Sequence, residues 1–252
     1  MNFYELYREL DKMIPKSLSC EWDNDGIMCA DDMLSDVQKV LISLDVTSHT
    51  VEYAKSNGFD TIISHHPLVF HPQKSLSSFD GTQRKLINLI KSGIRVASFH
   101  TRLDAVSGGV NDTLVALLGY KNLEVDSLEP IGRIVTLDKK LSLSTFAENI
   151  KAKLGSPFVL FSGDKDVSRV YVVGGDGKDM IQRAISCNAD TLLTGRASYN
   201  TAEDACDIGL NIVEAGHFYT ENPVCNTLSD IVKRLDKNIY TEIYNSNEIN
   251  FI

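Results

Sequence analysis

KVLISLDVTSHTVEYAKSNGFDTIISHHP, residues 39–67, sets the rhythm that decides the fold. Two apolar runs rich in β-branched residues, VLIS at 40–43 and TIIS at 61–64, flank a segment with a helical pattern, SHTVEYAKSNG. Strand, helix and strand in that order make a βαβ unit, the building block of an α/β protein. The same rhythm returns downstream. VYVVGGDGKDMIQRAISCNADTLLTG aligns with VLISLDVTSHTVEYAKSNGFDTIISH without a gap, Val40 facing Val170, Ala54 facing Ala184, Asp60 facing Asp190 and Thr61 facing Thr191.

Further on, IRVASFHTRLD corresponds to NIVEAGHFYTE, which sets His100 against His217 and Asp104 against Glu221. The repeat is too long for a solenoid, so the expectation is two similar α/β lobes made by internal duplication, with a metal site at their interface. The boundary is expected between residues 120 and 128, giving an N-terminal lobe at 1–124 and a C-terminal lobe at 125–252. Between the repeats, IGRIVTL reads as a strand, LSTFAENIKAKLG as a helix capped by Ser144 or Thr145, and SPFVLFSG as a strand. GGVNDTLVALLGY reads as a helix from near Asn111 to Gly119.

Composition narrows the function classes. With 252 residues, 43% of them hydrophobic, the chain can build its core without metal or disulfide staples. A net charge of −9 without a basic run argues against nucleic acid as a partner, because phosphate contacts need clustered Lys and Arg. No run approaches the roughly 20 apolar residues of a membrane span, and MNFYELYRELDKMIPKSL is an amphipathic helix rather than a leader, so a cytoplasmic location is expected. The five cysteines form no CxxC pair and read as reduced packing residues.

Candidate chemistry gathers where apolar strands end. His65 and His66 close one strand just before Pro67, His100 and Asp104 follow IRVASF, and His217 and Glu221 follow NIVEAG. Pro67 cannot extend a central ladder, so the histidine pair sits at a strand exit, where ligands bind in α/β sheets. Imidazole nitrogen with carboxylate oxygen is the donor set of zinc, manganese or iron. Two neighbouring imidazoles that diverge from one point suit two metals, and a carboxylate can bridge them. His65, His66, Asp104, His217 and Glu221 are therefore read as ligands of two divalent cations. No GxSxG, P-loop or other nucleophile motif occurs, so activated water is the expected nucleophile. Gly174, Gly175 and Gly177 admit a tight turn or a phosphate-holding loop, the turn being favoured, and EWDNDG at 21–26 reads by composition as a loop.

WDNDG at 22–26, SHHPLVF at 64–70, HTRLDAVSGGVND at 100–112, IGRI at 131–134, TG at 194–195 and GHFYTENP at 216–223 together resemble the Nif-three-like family. Its members are also called dinuclear metal centre hexameric proteins and are often named GTP cyclohydrolase I type 2 homologues. The resemblance spans nearly the whole chain. It implies that His66 and Asp104 bind one metal, that His65 and His217 bind the other, and that Glu221 bridges them. It also implies a toroidal homohexamer, a place for His100 beside the metal ligands or as an acid/base, and ring opening of the purine of GTP. Three positions depart from the family pattern: Arg102 in HTRLD, and Arg196 and Asn200 in TGRASYN. They make the expected pocket more basic, favouring an anionic or nucleotide ligand such as a phosphate. The leading expectation is a metal-dependent hydrolase, GTP cyclohydrolase-like or phosphoesterase-like, with His100 moving protons. The alternatives are a non-catalytic hexameric scaffold or regulatory protein and, third, a nucleotide-binding module that uses the glycine turns.

Overall fold

The computed structural model describes all 252 residues. In chain order the elements are α1 (Phe3–Met13), β1 (Gly26–Cys29), β2 (Lys39–Ser43), α2 (Ser48–Ser56), β3 (Thr61–Ser64), α3 (Gly81–Ser92), β4 (Arg95–Ser98), α4 (Thr101–Ala105) and α5 (Val110–Leu118). Then come β5 (Leu123–Val125), β6 (Arg133–Leu141), α6 (Leu143–Leu154), β7 (Leu160–Ser162), β8 (Val167–Asp176), α7 (Ile181–Ser186), β9 (Thr191–Arg196) and α8 (Tyr199–Asp207). β10 (Asn211–Glu214), α9 (His217–Glu221), α10 (Val224–Leu235) and β11 (Tyr240–Tyr244) complete the chain. No helix is long and apolar enough to cross a membrane. All five cysteines are free.

Two compact units result, residues 1–103 with 225–250, and residues 104–224 with 251–252. Each carries one mixed sheet. The first has the order β1-β4-β3-β2-β11 and the second β5-β6-β8-β9-β10-β7. The expected division at 124/125 falls inside the second unit, and the C-terminal elements return to the first. β11 pairs in parallel with β2 from Tyr240↔Lys39 to Tyr244↔Ser43, and the terminal ammonium of Met1 reaches Asp236 Oδ2 at 2.9 Å. α5, assigned by sequence to the first lobe, instead gives Leu114, Val115 and Leu118 to the core that holds Phe146, Ile150, Val170 and Val172.

The duplication is visible in the parallel cores of the two sheets. β2, β3 and β4 pair in parallel in one, as β8, β9 and β10 do in the other. An aspartate performs the same task in both: Asp60 Oδ2 accepts from the amides of Gln38 and Lys39, and Asp190 Oδ2 from those of Ser168 and Arg169. The following threonine hydroxyl donates to the other carboxylate oxygen, Thr61 to Asp60 and Thr191 to Asp190. The last strand departs from the alignment by one residue. Thr61 faces Arg95 and Thr191 faces Asn211, so Arg95, not Ile94, is the counterpart of Asn211. His100 consequently precedes its helix whereas His217 begins one, and the two histidines are not equivalent in structure.

Continuous apolar runs arise because both faces of the second sheet are covered. Val170, Val172, Leu193 and Val213 join one buried cluster, while Tyr171, Val173, Leu192 and Ile212 join another. In the first sheet Leu41, Ile62 and Val96 pack with Val51, Ala54 and Leu89 of α2 and α3. α6 is capped by Ser142, whose hydroxyl accepts from Thr145 N, two residues ahead of the earliest cap expected from sequence.

A buried polar knot ties the second sheet to α7. Asp126 accepts from Tyr171 Oη at 2.8 Å, from Arg183 and from Leu128 N. Burial alone would raise the carboxyl of Asp126, but the bonds from Arg183, Leu128 and Tyr171 outweigh it and hold it at about 2, below its ordinary 3.8. A group depressed in the folded state contributes stability that is present above its unfolded value and lost as pH falls through its folded one. Chemical denaturation of the wild type is therefore expected to lose stability between about pH 4 and about pH 2 more steeply than that of Asp126→Asn, which is the less stable protein at neutral pH.

Candidate metal centre

In the first unit the parallel ladder continues past the strand ends and positions the histidines. His65 N donates to Ser43 O, His66 N to Leu44 O, and Phe99 N to Ser64 O. The rings of His65, His66 and His100 then lie with centroids 4.9, 5.3 and 5.7 Å apart, and one nitrogen of each falls within 4.8 Å of the others. His65 is fully buried, and His66 and His100 are largely so.

Each imidazole meets an oxygen through Nδ1. His65 Nδ1 lies 2.9 Å from the carbonyl of Phe99, which can only accept, so this nitrogen carries a proton. His66 Nδ1 is 2.7 Å from Asp45 Oδ1, and His100 Nδ1 is 2.8 Å from Asp23 Oδ1. Nδ1 carries a proton in both, because an ionised carboxylate is acceptor only. Burial alone would push the carboxyl of Asp23 up. Hydrogen bonds from His100 and from Thr101 outweigh it and hold Asp23 well below the usual carboxylate range. Three imidazoles gathered in this way form an N-donor set, and an oxygen behind each ring is the partner that metal-bound histidines have.

In the second unit Asp104, on α4, and Glu221, on α9, are buried, and each offers a carboxylate oxygen within 4.8 Å of the other. His217 Nε2 lies 2.9 Å from Glu221 Oε2, one helical turn away. Asn111, also buried, holds this region together: its Nδ2 donates to Asp104 O at 3.2 Å and its Oδ1 accepts from Gly174 N at 2.7 Å. Arg133, the arginine of IGRI, is fully buried. It binds Asp112 and donates to the carbonyls of Ala105 and Val106, fixing the turn behind Asp104. The chemistry of the donors fits a metal, since the first unit gathers imidazole nitrogens and the second carboxylate oxygens with an imidazole, donors that zinc, manganese and iron accept.

One sequence expectation changes here and two are met with added detail. Arg102 does not enrich the pocket with positive charge. Its guanidinium is fully buried, bound to Asp25 Oδ2 at 2.9 Å, to Asp11 and to Ile14 O, with Phe99 4.5 Å beneath it. The favoured reading of the glycines as a turn holds, because the amides of Gly174, Gly175 and Gly177 donate to Asn111, Thr220 and Thr194. The EWDNDG segment is more than a loop, since Asp23 and Asp25 bind the backbone and ring of the 100–102 segment. Asp23, Asp45, Asn111 and Arg133 are the functional positions that sequence reasoning missed. Only the Asx-rich composition of 23–25 hinted at the first.

A chain with two similar α/β lobes and an imidazole–carboxylate donor set at its strand exits is thus defined by its own geometry. The model of the family described as Duf34/NIF3 (NGG1p interacting factor 3) matches residues 1–250, and the chain belongs to that family. It is 34% identical over 248 residues to a "GTP cyclohydrolase 1 type 2 homolog" of Clostridium perfringens, covering 95% of this chain and 94% of that protein. A protein of the same name from Lactococcus lactis is 32% identical over 254 residues, with 98% and 97% covered. Among solved structures, a Staphylococcus aureus hypothetical protein, SA1388, superposes with a TM-score of 0.90 at 27% identity, covering 100% of this chain and 99% of that one. A Bacillus cereus protein related to NIF3 superposes with a TM-score of 0.91 at 23% identity, with the same coverage, and shares the fold.

Two substitutions probe the site. Asp45→Ala removes the oxygen that orients His66 and is expected to lower metal affinity about 10–100-fold in a chelator competition assay. Gly175 has φ +67°, and a Cβ there would stand 2.0 Å from Glu221 Oε1. Gly175→Ala is therefore expected to displace that carboxylate and weaken metal binding, read by titration calorimetry on folded protein.

Proposed function

We propose that His65, His66, Asp104, His217 and Glu221 hold two divalent cations, zinc, manganese or iron, and that the protein is a metal-dependent hydrolase. The observation that carries this reading is the shared orientation of His65, His66 and His100, each with Nδ1 against an oxygen and one nitrogen of each within 4.8 Å of the others. The names of the Clostridium and Lactococcus relatives support a GTP cyclohydrolase-like activity, and a phosphoesterase-like activity fits the same donors. A homohexamer of this chain is proposed with it.

When bound, divalent cations acidify water to a pKa of about 7 and polarise a carbonyl or phosphoryl oxygen. The remaining work belongs to the chain. Glu221, buried and backed closely by Gly175, would hold the cations through its carboxylate. Asp45 and the Phe99 carbonyl keep His66 and His65 in the ligating tautomer. His100, oriented by Asp23, accepts a proton at Nε2 from attacking water and returns it to the leaving group, while Asp23 stabilises the imidazolium formed in between.

Elemental analysis of purified protein is expected to find two cations per chain, and Glu221→Ala to lose at least one. His100→Ala is expected to keep both cations while turnover of GTP or generic phosphate esters falls about 10²–10⁴-fold. Two metals with no turnover on a broad panel would contradict the hydrolase, and no metal would contradict the centre itself.

A further inference from the structure

Trp22, the single tryptophan of the chain, is 63% exposed. A large aromatic ring left in water on a mobile loop would be unremarkable, but this loop is anchored at three successive residues. Asp23 accepts from His100 Nδ1 and from Thr101 N and Oγ1, Asn24 donates to Val69 O, and Asp25 accepts from His100 N and Arg102 Nε. Through Asn24 the loop is joined to the segment that carries Phe70, which is itself 40% exposed. The rings of Trp22, Phe70 and His100 are mutually adjacent, with centroids 6.1 and 6.2 Å apart. Trp22 meets the other two at 56° and 76°, so these contacts are tilted and edge-type and the exposed indole keeps a face open to a stacking partner.

We infer that Trp22 and Phe70 form a pre-organised stacking platform that takes a planar aromatic or heteroaromatic ring of the ligand and presents the remainder of it to His100. Arg102 is consumed by Asp25 and Asp11, so among the side chains grouped here recognition falls to the aromatic faces rather than to a guanidinium. Aromatic rings held still lose little entropy on binding, which is why rigid exposed Trp and Phe serve as anchors. The inference rests on the metal-site reading for the identity of the reacting end. It adds the residues that hold the flat ring of the ligand, Trp22 and Phe70.

Because Trp22 is the only tryptophan, its emission reports the platform directly. Metal-free and zinc-loaded protein would be titrated with guanosine monophosphate, cytidine monophosphate and base-free ribose phosphate. Saturable quenching by both nucleotides and none by ribose phosphate is expected. By calorimetry, Trp22→Ala is expected to weaken nucleotide binding about tenfold or more and Trp22→Phe to retain most of it, with zinc per chain unchanged in both. Equal binding of ribose phosphate, or full affinity in Trp22→Ala, would overturn the platform. A changed molecular mass of Trp22→Ala by light scattering would overturn it in favour of a contact between copies of the chain. Quenching that persists in protein unable to bind zinc would support the platform while the metal reading fails. Absence of quenching in protein that binds zinc would remove the platform and leave the metal reading intact.

Discussion

The parallel pairing of β2, β3 and β4 is the constraint from which the candidate centre follows. Parallel strands emerge at the same end of a sheet, so the residues just beyond them are gathered without any loop having to reach. Here the ladder runs on past the strands through the amides of His65, His66 and Phe99. That continuation brings the Phe99 carbonyl to His65 Nδ1, and the tautomer of the buried histidine is set by backbone geometry alone. His66 and His100 need side-chain carboxylates, Asp45 and Asp23, for the same result.

The second unit repeats the architecture but not the chemistry. Its three parallel strands keep the aspartate–threonine device of the first, Asp190 and Thr191 matching Asp60 and Thr61. At the ends of β8 and β9 it carries glycines, Gly174 and Gly175 where the first unit has Leu44 and Asp45, and Gly195 where it has His65. A Cβ at Gly175 would stand 2.0 Å from Glu221 Oε1 and one at Gly177 2.5 Å from Thr194 Oγ1, so the backbone there excludes side chains. Duplication thus supplied one scaffold twice, and its two copies came to carry different donors, mostly imidazole in one and mostly carboxylate in the other.

Much of this was legible in the sequence because both sheets have buried parallel cores. Doubly covered strands must be apolar throughout, so runs such as VLIS and TIIS stand out from their helical surroundings. The ligand-type residues were legible for a related reason, since they follow those runs directly. What stayed hidden depends on registers and pairings far apart in sequence. A match of residue types aligned His100 with His217, whereas strand pairing sets the repeat one residue away. The domain division was displaced because β11 crosses back to β2, a pairing of residues some two hundred positions apart that no local pattern announces. Arg102 looked like a pocket cation because sequence shows a charge but not its partners, and Asp11 and Asp25 lie far upstream.

The central claim is that the histidines are held with Nε2 as the ligating atom. Anomalous diffraction at the zinc edge, from crystals of the zinc-loaded protein, tests it most directly. Peaks about 2.0–2.1 Å from Nε2 of His65 and of His66 are predicted. Zinc bound through Nδ1, or bound elsewhere with no peak at either histidine, would contradict the account.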